Sequence, residues 1–334
     1  MGKSIRIYLA DTDVNGIRHA EIVNWTGQAL AFPRNRVTDL KSWPEVRRQG
    51  VYFLIGQDDQ SGQEAAYIGE AEVVVERIIQ HVSQKEFWSE CIAFTSKDEN
   101  LTKSHIKYLE SKLVAAASSA DRYVVINSSA PQESALPRAD KDAMDEFASN
   151  IRILLGVLGH RVLEPISTTK QKISPTLTAP QPASQNVEPQ NESAAGTSFF
   201  MRTSKLSATA LLTSNELVVL QNSQAAKEAQ ASLPPGYSAI RNKLISMGVL
   251  KEASDHLVFT RDYPFSSPSQ AASIISGSSI NGRNTWKNSN GRSLKEIEES
   301  EAKQLGEGLL AELDSLNASL SHQVLTGGST RTRT

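Results

Sequence analysis

Two tyrosines, Tyr52 and Tyr67, lie on short apolar segments, 51–55 and 65–68, that read as β-type runs. Paired as a hairpin, these runs bring both phenols to one face. At a pKa of about 10 only about one phenol in a thousand is ionised at pH 7, so a tyrosine base needs a cation beside it. Arg77 and His81 follow four residues apart on a segment patterned as a helix, 72–84. They flank the apolar arc of Val74, Ile78 and Val82, where two donors can reach one phosphate. Glu110 falls inside the apolar stripe of a second helical segment, 102–117, among Ile106, Leu113 and Ala117. A carboxylate in that company requires a cation: either Mg²⁺, a hard ion that keeps most of its waters, or a neighbouring Lys or Arg. Each group also has a plainer reading. The tyrosines can be core aromatics of a sheet, Arg77 can pair with Glu72 or Glu76 on a solvated flank, and Glu110 can pair with Arg77.

The elements that must position these groups follow from hydrophobic periodicity. Ile5, Ile7 and Leu9 alternate as a strand, and 17–24 and 29–32 read as two more, with Asn15-Gly16 as a turn signal. Strands are predicted at 51–55, 65–68, 91–95 and 123–127, and helices at 72–84 and 102–117. Met144, Phe147, Ile151, Leu154 and Leu158 mark the buried face of a further helix. The order β-β-α-β-α-β indicates an α+β domain: a small mixed sheet with an antiparallel hairpin, flanked by helices.

Residues Gly50-Val51-Tyr52, Tyr67-Ile68-Gly69, Arg77, His81, Glu110 and Asn127 form an ordered set that resembles the GIY-YIG nuclease family. Val51 stands in the middle of the first signature tripeptide, and the second is literal. The resemblance implies that Arg77 is a catalytic arginine, that Glu110 binds one divalent metal, Mg²⁺ or Mn²⁺, and that Asn127 closes the site. It further implies that Tyr52 activates water, directly or through His81, with Tyr67 helping to position the phosphate. One departure is the segment between the tyrosines, which is longer than the family usually carries.

From 166 to 198 the chain is rich in Ser, Thr, Pro, Gln and Asn and nearly free of large apolar residues, a composition that predicts a disordered linker. The expected organisation is a β extension at 1–49, the nuclease-like core at 50–130, a helical extension at 131–165 and the linker at 166–198. A basic C-terminal module, a separate small α+β unit, follows at 199–296, and an acidic amphipathic helix with a flexible tail fills 297–334. Segments of the module resemble an uncharacterised domain family often found behind GIY-YIG nuclease domains. Between Met201 and Lys295 there are 11 Lys/Arg against 5 Asp/Glu, whereas the stretch from Glu296 onward holds 3 against 7. Within the module Arg283, Trp286, Lys287 and Arg292 surround two Asn-Gly turn signals. Basic groups interleaved with an exposed indole predict phosphate binding and stacking on an unpaired base; the plainer reading is a Trp that plugs a small core. Leu305, Leu309, Leu313, Leu316 and Leu320 recur at helical spacing, a face to dock on a partner, on a second copy or on the same chain.

Of 334 residues, 35 are basic and 37 acidic, a net charge of −2, so any anionic partner must be met by local patches. The single cysteine, Cys91, excludes an internal disulfide framework and fits a reducing cytoplasm. The longest apolar stretch, 151–158, is interrupted by Arg152 and falls well short of the roughly 20 residues a membrane span needs. The reading that results is a cytoplasmic, metal-dependent endonuclease acting on nucleic acid, DNA ahead of RNA, with no membrane association. Its rival is a non-catalytic nucleic-acid-binding or assembly protein that keeps the scaffold.

Overall fold

The computed structural model describes residues 2–58, 60–98, 100–127, 134–165, 197–203, 206–213 and 216–326. Of the linker expected at 166–198, residues 166–196 lie outside the described residues, and the chain is already in a strand at Thr197. The tail at 327–334 also lies outside them.

The first domain is built on one seven-stranded sheet. Its strands are β1 (Ile5–Leu9), β2 (Arg18–Ile22), β3 (Gly27–Pro33), β4 (Gly50–Gln57), β5 (Glu64–Ala71), β6 (Trp88–Ser96) and β7 (Val124–Val125), in the order β1-β2-β3-β6-β4-β5-β7. All neighbours are antiparallel except β5 and β7. The N-terminal strands are thus continuous with the core that carries the tyrosines. The last strand is much shorter than the sequence suggests, pairing only Val124 and Val125 with Ala65 and Ala66.

Three helices, α1 (Val74–Gln84), α2 (Lys103–Ala120) and α3 (Arg138–Val157), join two 3-10 segments at Arg34–Ser42 and Pro44–Arg47. Because side chains alternate along a strand, β4 feeds two cores. Val51, Phe53 and Ile55 pack with Ile106, Leu109 and Leu113 of α2 and Ile151 and Leu154 of α3. Tyr52 and Leu54 pack on the opposite face with Val74, Ile78 and Val82 of α1. Gly50 is required by proximity: a Cβ there would lie 2.1 Å from the Phe94 carbonyl oxygen of β6. The start of α2 is fixed by a capping box, Thr102 accepting from the His105 N–H while the His105 ring accepts from that of Thr102.

The second domain has a four-stranded sheet from β8 (Thr197–Arg202), β9 (Ser207–Leu212), β10 (Leu217–Val219) and a later strand, and a three-stranded one that includes β11 (Gln224–Ala226). After α4 (Pro235–Ser246) come β12 (Leu250–Glu252), β13 (His256–Phe259), β14 (Tyr263–Phe265), α5 (Pro268–Ser276), α6 (Gly282–Thr285) and α7 (Leu294–Thr326). The sheets are ordered β14-β10-β9-β8 and β11-β13-β12. Their shared core holds Phe199, Tyr237, Phe259, Phe265, Ile274 and Trp286. The chain is therefore α+β with two hydrophobic units. Among the described residues no helix is long and apolar enough to cross a membrane.

The second domain does not hang on a tether. Ala302, Leu305 and Leu309 of α7 complete the core that holds Tyr52 and the buried face of α1. Leu305 and Leu309, read as a docking face, dock on their own chain; the side chains of Leu313, Leu316 and Leu320 lie outside the described residues. Beside this contact Glu298 bridges two buried guanidiniums, Arg34 at 2.9 Å and Arg283. Arg34 also donates to the carbonyls of Val82 and Lys85 at the end of α1, both at 2.6 Å. Arg283 donates to the carbonyls of Glu86 and Trp88, both at 3.1 Å. Burial and the neighbouring Arg283 charge bring the Arg34 pKa down to about 10.

Candidate active site

The alternation of β4 and β5 and the helical period of α1 bring Tyr52, Tyr67 and His81 together. The Tyr52 hydroxyl lies 2.8 Å from His81 Nε2, with ring centroids 5.6 Å apart, and the Tyr67 ring is 5.2 Å from that of His81 and 6.3 Å from that of Tyr52. Tyr52 and His81 are buried while Tyr67 is half-buried, so Tyr67 stands nearer the opening. Burial, with the opposing charges of Arg77 and Lys85 as lesser causes, lowers the His81 pKa to about 3, so the ring is neutral at pH 7. Among the described residues its Nδ1 has no hydrogen-bond partner.

Tyr52 is not poised as a phenolate. Burial and the adjacent Tyr67 raise its pKa well above the ordinary phenol value, and the pull of Arg77 only partly opposes this. The sequence reading that Arg77 lowers it is right in sign and outweighed in size. The resting pair is a phenol hydrogen-bonded to a neutral imidazole.

Arg77 is half-buried and donates to Gln80 Oε1 at 2.7 Å. Its field reaches both Tyr52 and Glu110. Glu110 stands on α2, on the other side of the sheet from the tyrosines, and is half-buried. Burial and the nearby Glu70 carboxylate push its pKa up to about 7, against a hydrogen bond from the Glu70 backbone N–H and the charges of Lys107 and Arg77. Among the described residues Glu110 has no ion pair within 4.0 Å, so the plainer alternative of a Glu110–Arg77 pair is not formed.

Pairing of β7 with β5 stops at Ala66, and Asn127 then clamps Ile68 with its side-chain amide, accepting from the N–H at 3.1 Å and donating to the carbonyl at 2.7 Å. Both amide ends of Asn127 are therefore spent on backbone, and its role is to hold β5 between Tyr67 and Gly69. Beyond Ile68 no described strand covers that edge of β5. Tyr67 lies on the face of the sheet covered by α1, which carries Arg77 and His81, and Glu110 stands on α2 across the sheet.

Two residues beside these groups escape the sequence reading. Lys85 continues the 77, 81 spacing by one more turn, and its ammonium sits 4.1 Å from the Tyr67 ring centroid, its pKa lowered by burial and by Arg77. Glu70 directly follows the second tripeptide, and strand alternation turns it to the α2 side with Ile68. The helical period and the strand period were the signals for each.

A raised carboxylate beside a second one is a place that gains from a cation. Among the described residues no group of three or more His, Cys, Asp or Glu converges to hold a metal. The donors on offer are two carboxylates, Glu110 and Glu70; an ion such as Mg²⁺ binds through one or two carboxylates and keeps several waters. Glu110, with Glu70 adjacent, would hold it.

In the second domain two of the four expected contacts are corrected. Trp286 is wholly buried and donates from Nε1 to the Pro268 carbonyl at 3.1 Å, so the plainer reading of a core plug holds. Arg283 is buried in the Glu298 network. Lys287 and Arg292 are exposed, and Arg292 donates to the Glu296 carbonyl at 3.1 Å.

Fold and side-chain geometry define an α+β protein in which Tyr52, Tyr67 and His81 are in contact beside Arg77. Residues 199–298 match the model of a domain family of unknown function, DUF4357. No curated protein and no solved structure matches the chain.

Proposed function

We propose that the chain is a divalent-metal-dependent endonuclease of GIY-YIG type, hydrolysing phosphodiester bonds in nucleic acid, DNA ahead of RNA, in the cytoplasm. The observation that supports this reading is the contact of Tyr52, Tyr67 and His81 on one face of the sheet, with Arg77 within electrostatic reach both of Tyr52 and of Glu110 on the other face.

A phosphodiester approaching Tyr67 meets Arg77 and Lys85, whose charges oppose the negative charge that develops on the phosphoryl oxygens. The same anion acts on His81: an incoming negative charge offsets the two cations that add to the effect of burial on the ring, and so raises its basicity. The Tyr52 hydroxyl can then pass its proton to His81 Nε2 as it takes one from the attacking water, a two-residue relay across 2.8 Å. Tyr67, nearer the opening, hydrogen-bonds and orients the phosphate. A metal at Glu110 supplies Lewis acidity toward the scissile phosphate and the departing oxygen when bound. The second domain fixes the end of α1 through Arg34 and Glu298, and so the helix that carries Arg77 and His81.

The test is a cleavage assay on labelled single-stranded, duplex and branched DNA and RNA, with Mg²⁺ or Mn²⁺ against EDTA. The reading expects products only with metal. Absence of cleavage on every substrate with either metal would favour the non-catalytic binding protein instead.

A further inference from the structure

A concave site lies on the other domain, lined by none of the candidate active-site residues. It is a cavity of about 510 Å³, within the ordinary size range of ligand sites, lined by Phe200, Arg202, Thr285, Lys287, Asn288 and Ser289 among others. Phe200 is half-buried, and Arg202 and Lys287 are exposed. The Arg202 guanidinium carbon lies 5.6 Å from the Phe200 ring centroid. No carboxylate lines the cavity, and among the described residues neither cation is in an ion pair.

The site is rigidly built. Phe200 and Lys287 exchange backbone hydrogen bonds, 2.7 Å from the Phe200 N–H to the Lys287 carbonyl and 3.0 Å in return. The buried Trp286 fixes the backbone just before Lys287. Just after it, Asn288 Oδ1 accepts from the N–H groups of Asn290 and Arg292, both at 3.0 Å, shaping the turn. An apolar ring is therefore held beside two unpaired cations and the polar side chains of Thr285 and Ser289 in a space of nucleotide size.

We propose that this cavity binds single-stranded nucleic acid, with an unstacked base against Phe200 and the flanking phosphates on Arg202 and Lys287. The ring separates this ligand from a simple anion: stacking platforms flanked by cations are how proteins hold single strands without reading sequence. The choice of nucleic acid rests on the nuclease reading. The module's 11 Lys/Arg against 5 Asp/Glu, counted from Met201 to Lys295, accord with it.

The experiment is fluorescence anisotropy of a labelled oligothymidylate with full-length Glu110→Gln protein in EDTA, where binding is read without turnover. Phe200→Leu, which keeps apolar volume and removes the stacking face, is expected to weaken binding about tenfold. Lys287→Ala is expected to weaken it about fivefold and to flatten the salt dependence by about 0.7 in the log–log slope. Binding unchanged in both variants overturns the proposal, as does competition by inorganic phosphate or a phosphopeptide at the oligonucleotide's own concentrations. A wild-type protein that cleaves while these variants bind like the parent defeats this proposal alone. Binding that depends on Phe200 and Lys287 in a protein that never cleaves defeats the nuclease reading alone.

Discussion

The hydroxyl of Tyr52 stands over the α-carbon of Gly69, its cross-strand partner, so closely that a Cβ there would lie 2.4 Å from the phenol oxygen. The glycine that ends the second tripeptide is thus required by the tyrosine that ends the first. Gly69→Ala is expected to push the Tyr52 ring away from His81. The overpacking should cost ~1–3 kcal/mol of stability and lower the cleavage rate about a hundredfold through lost alignment. Thermal melts and single-turnover rates check this, and an unchanged rate would show that the phenol's position does not matter.

Tyr52→Phe removes the relay and leaves the ring packing intact. Its cleavage rate is expected to fall by about 10²–10⁴, the span of a lost acid–base group, with a melting temperature near that of the parent. A rate within threefold of wild type would place the base elsewhere.

Glu110 predicts a pH dependence whose sign can be worked out. Its pKa in the folded protein is raised from 4.5 to about 7 by burial and by Glu70. The stability linked to this group is therefore full below pH 4.5 and is lost as pH rises toward and through about 7. A bound cation offsets that loss, so Mg²⁺ should raise the melting temperature more at pH 8 than at pH 6. From pH 8 to pH 6 the ionised fraction falls from about 0.9 to about 0.1, and the apparent Mg²⁺ affinity in the cleavage assay should fall about tenfold. An affinity flat across that range would remove Glu110 from the metal.

Lys85 is expected to act on His81 at a distance. In Lys85→Met one of the two charges that depress the imidazole is gone, so its pKa should move up from about 3 while cleavage falls about tenfold. Ring-proton NMR titration reads the first and kinetics the second; an unmoved His81 would show the ammonium is spent on the Tyr67 ring alone.

Glu298 joins the domains, and removing it strands Arg34 and Arg283 as buried charges. Glu298→Ala should cost ~3–5 kcal/mol in denaturant unfolding. It should also lower cleavage, because Arg34 caps the end of the helix that bears His81. A loss under ~1 kcal/mol would mean that water reaches these guanidiniums.

How far the sequence reached follows from the range of the signals. Tyr52, Tyr67 and His81 were legible because strand and helix periods alone decide which way their side chains face. Asn127 was read as the end of a strand over 123–127, whereas β7 stops at Val125 and the Asn127 amide clamps Ile68, which no local pattern marks. The indole of Trp286 was expected outside because basic residues surround it. Its burial comes from a tight approach of α6 to α5, where a Cβ on Gly282 would lie 2.1 Å from the Pro268 carbonyl oxygen. The union of the two domains was invisible for a simpler reason: Arg34 and Glu298 are 264 residues apart, and no periodicity spans that distance.

The most direct test compares wild-type and Glu110→Ala protein, both shown to be folded by their melting curves, in Mg²⁺-dependent cleavage of the best substrate from the panel. The account predicts a loss of about a thousandfold or more with the fold retained. Cleavage undiminished in Glu110→Ala would contradict it.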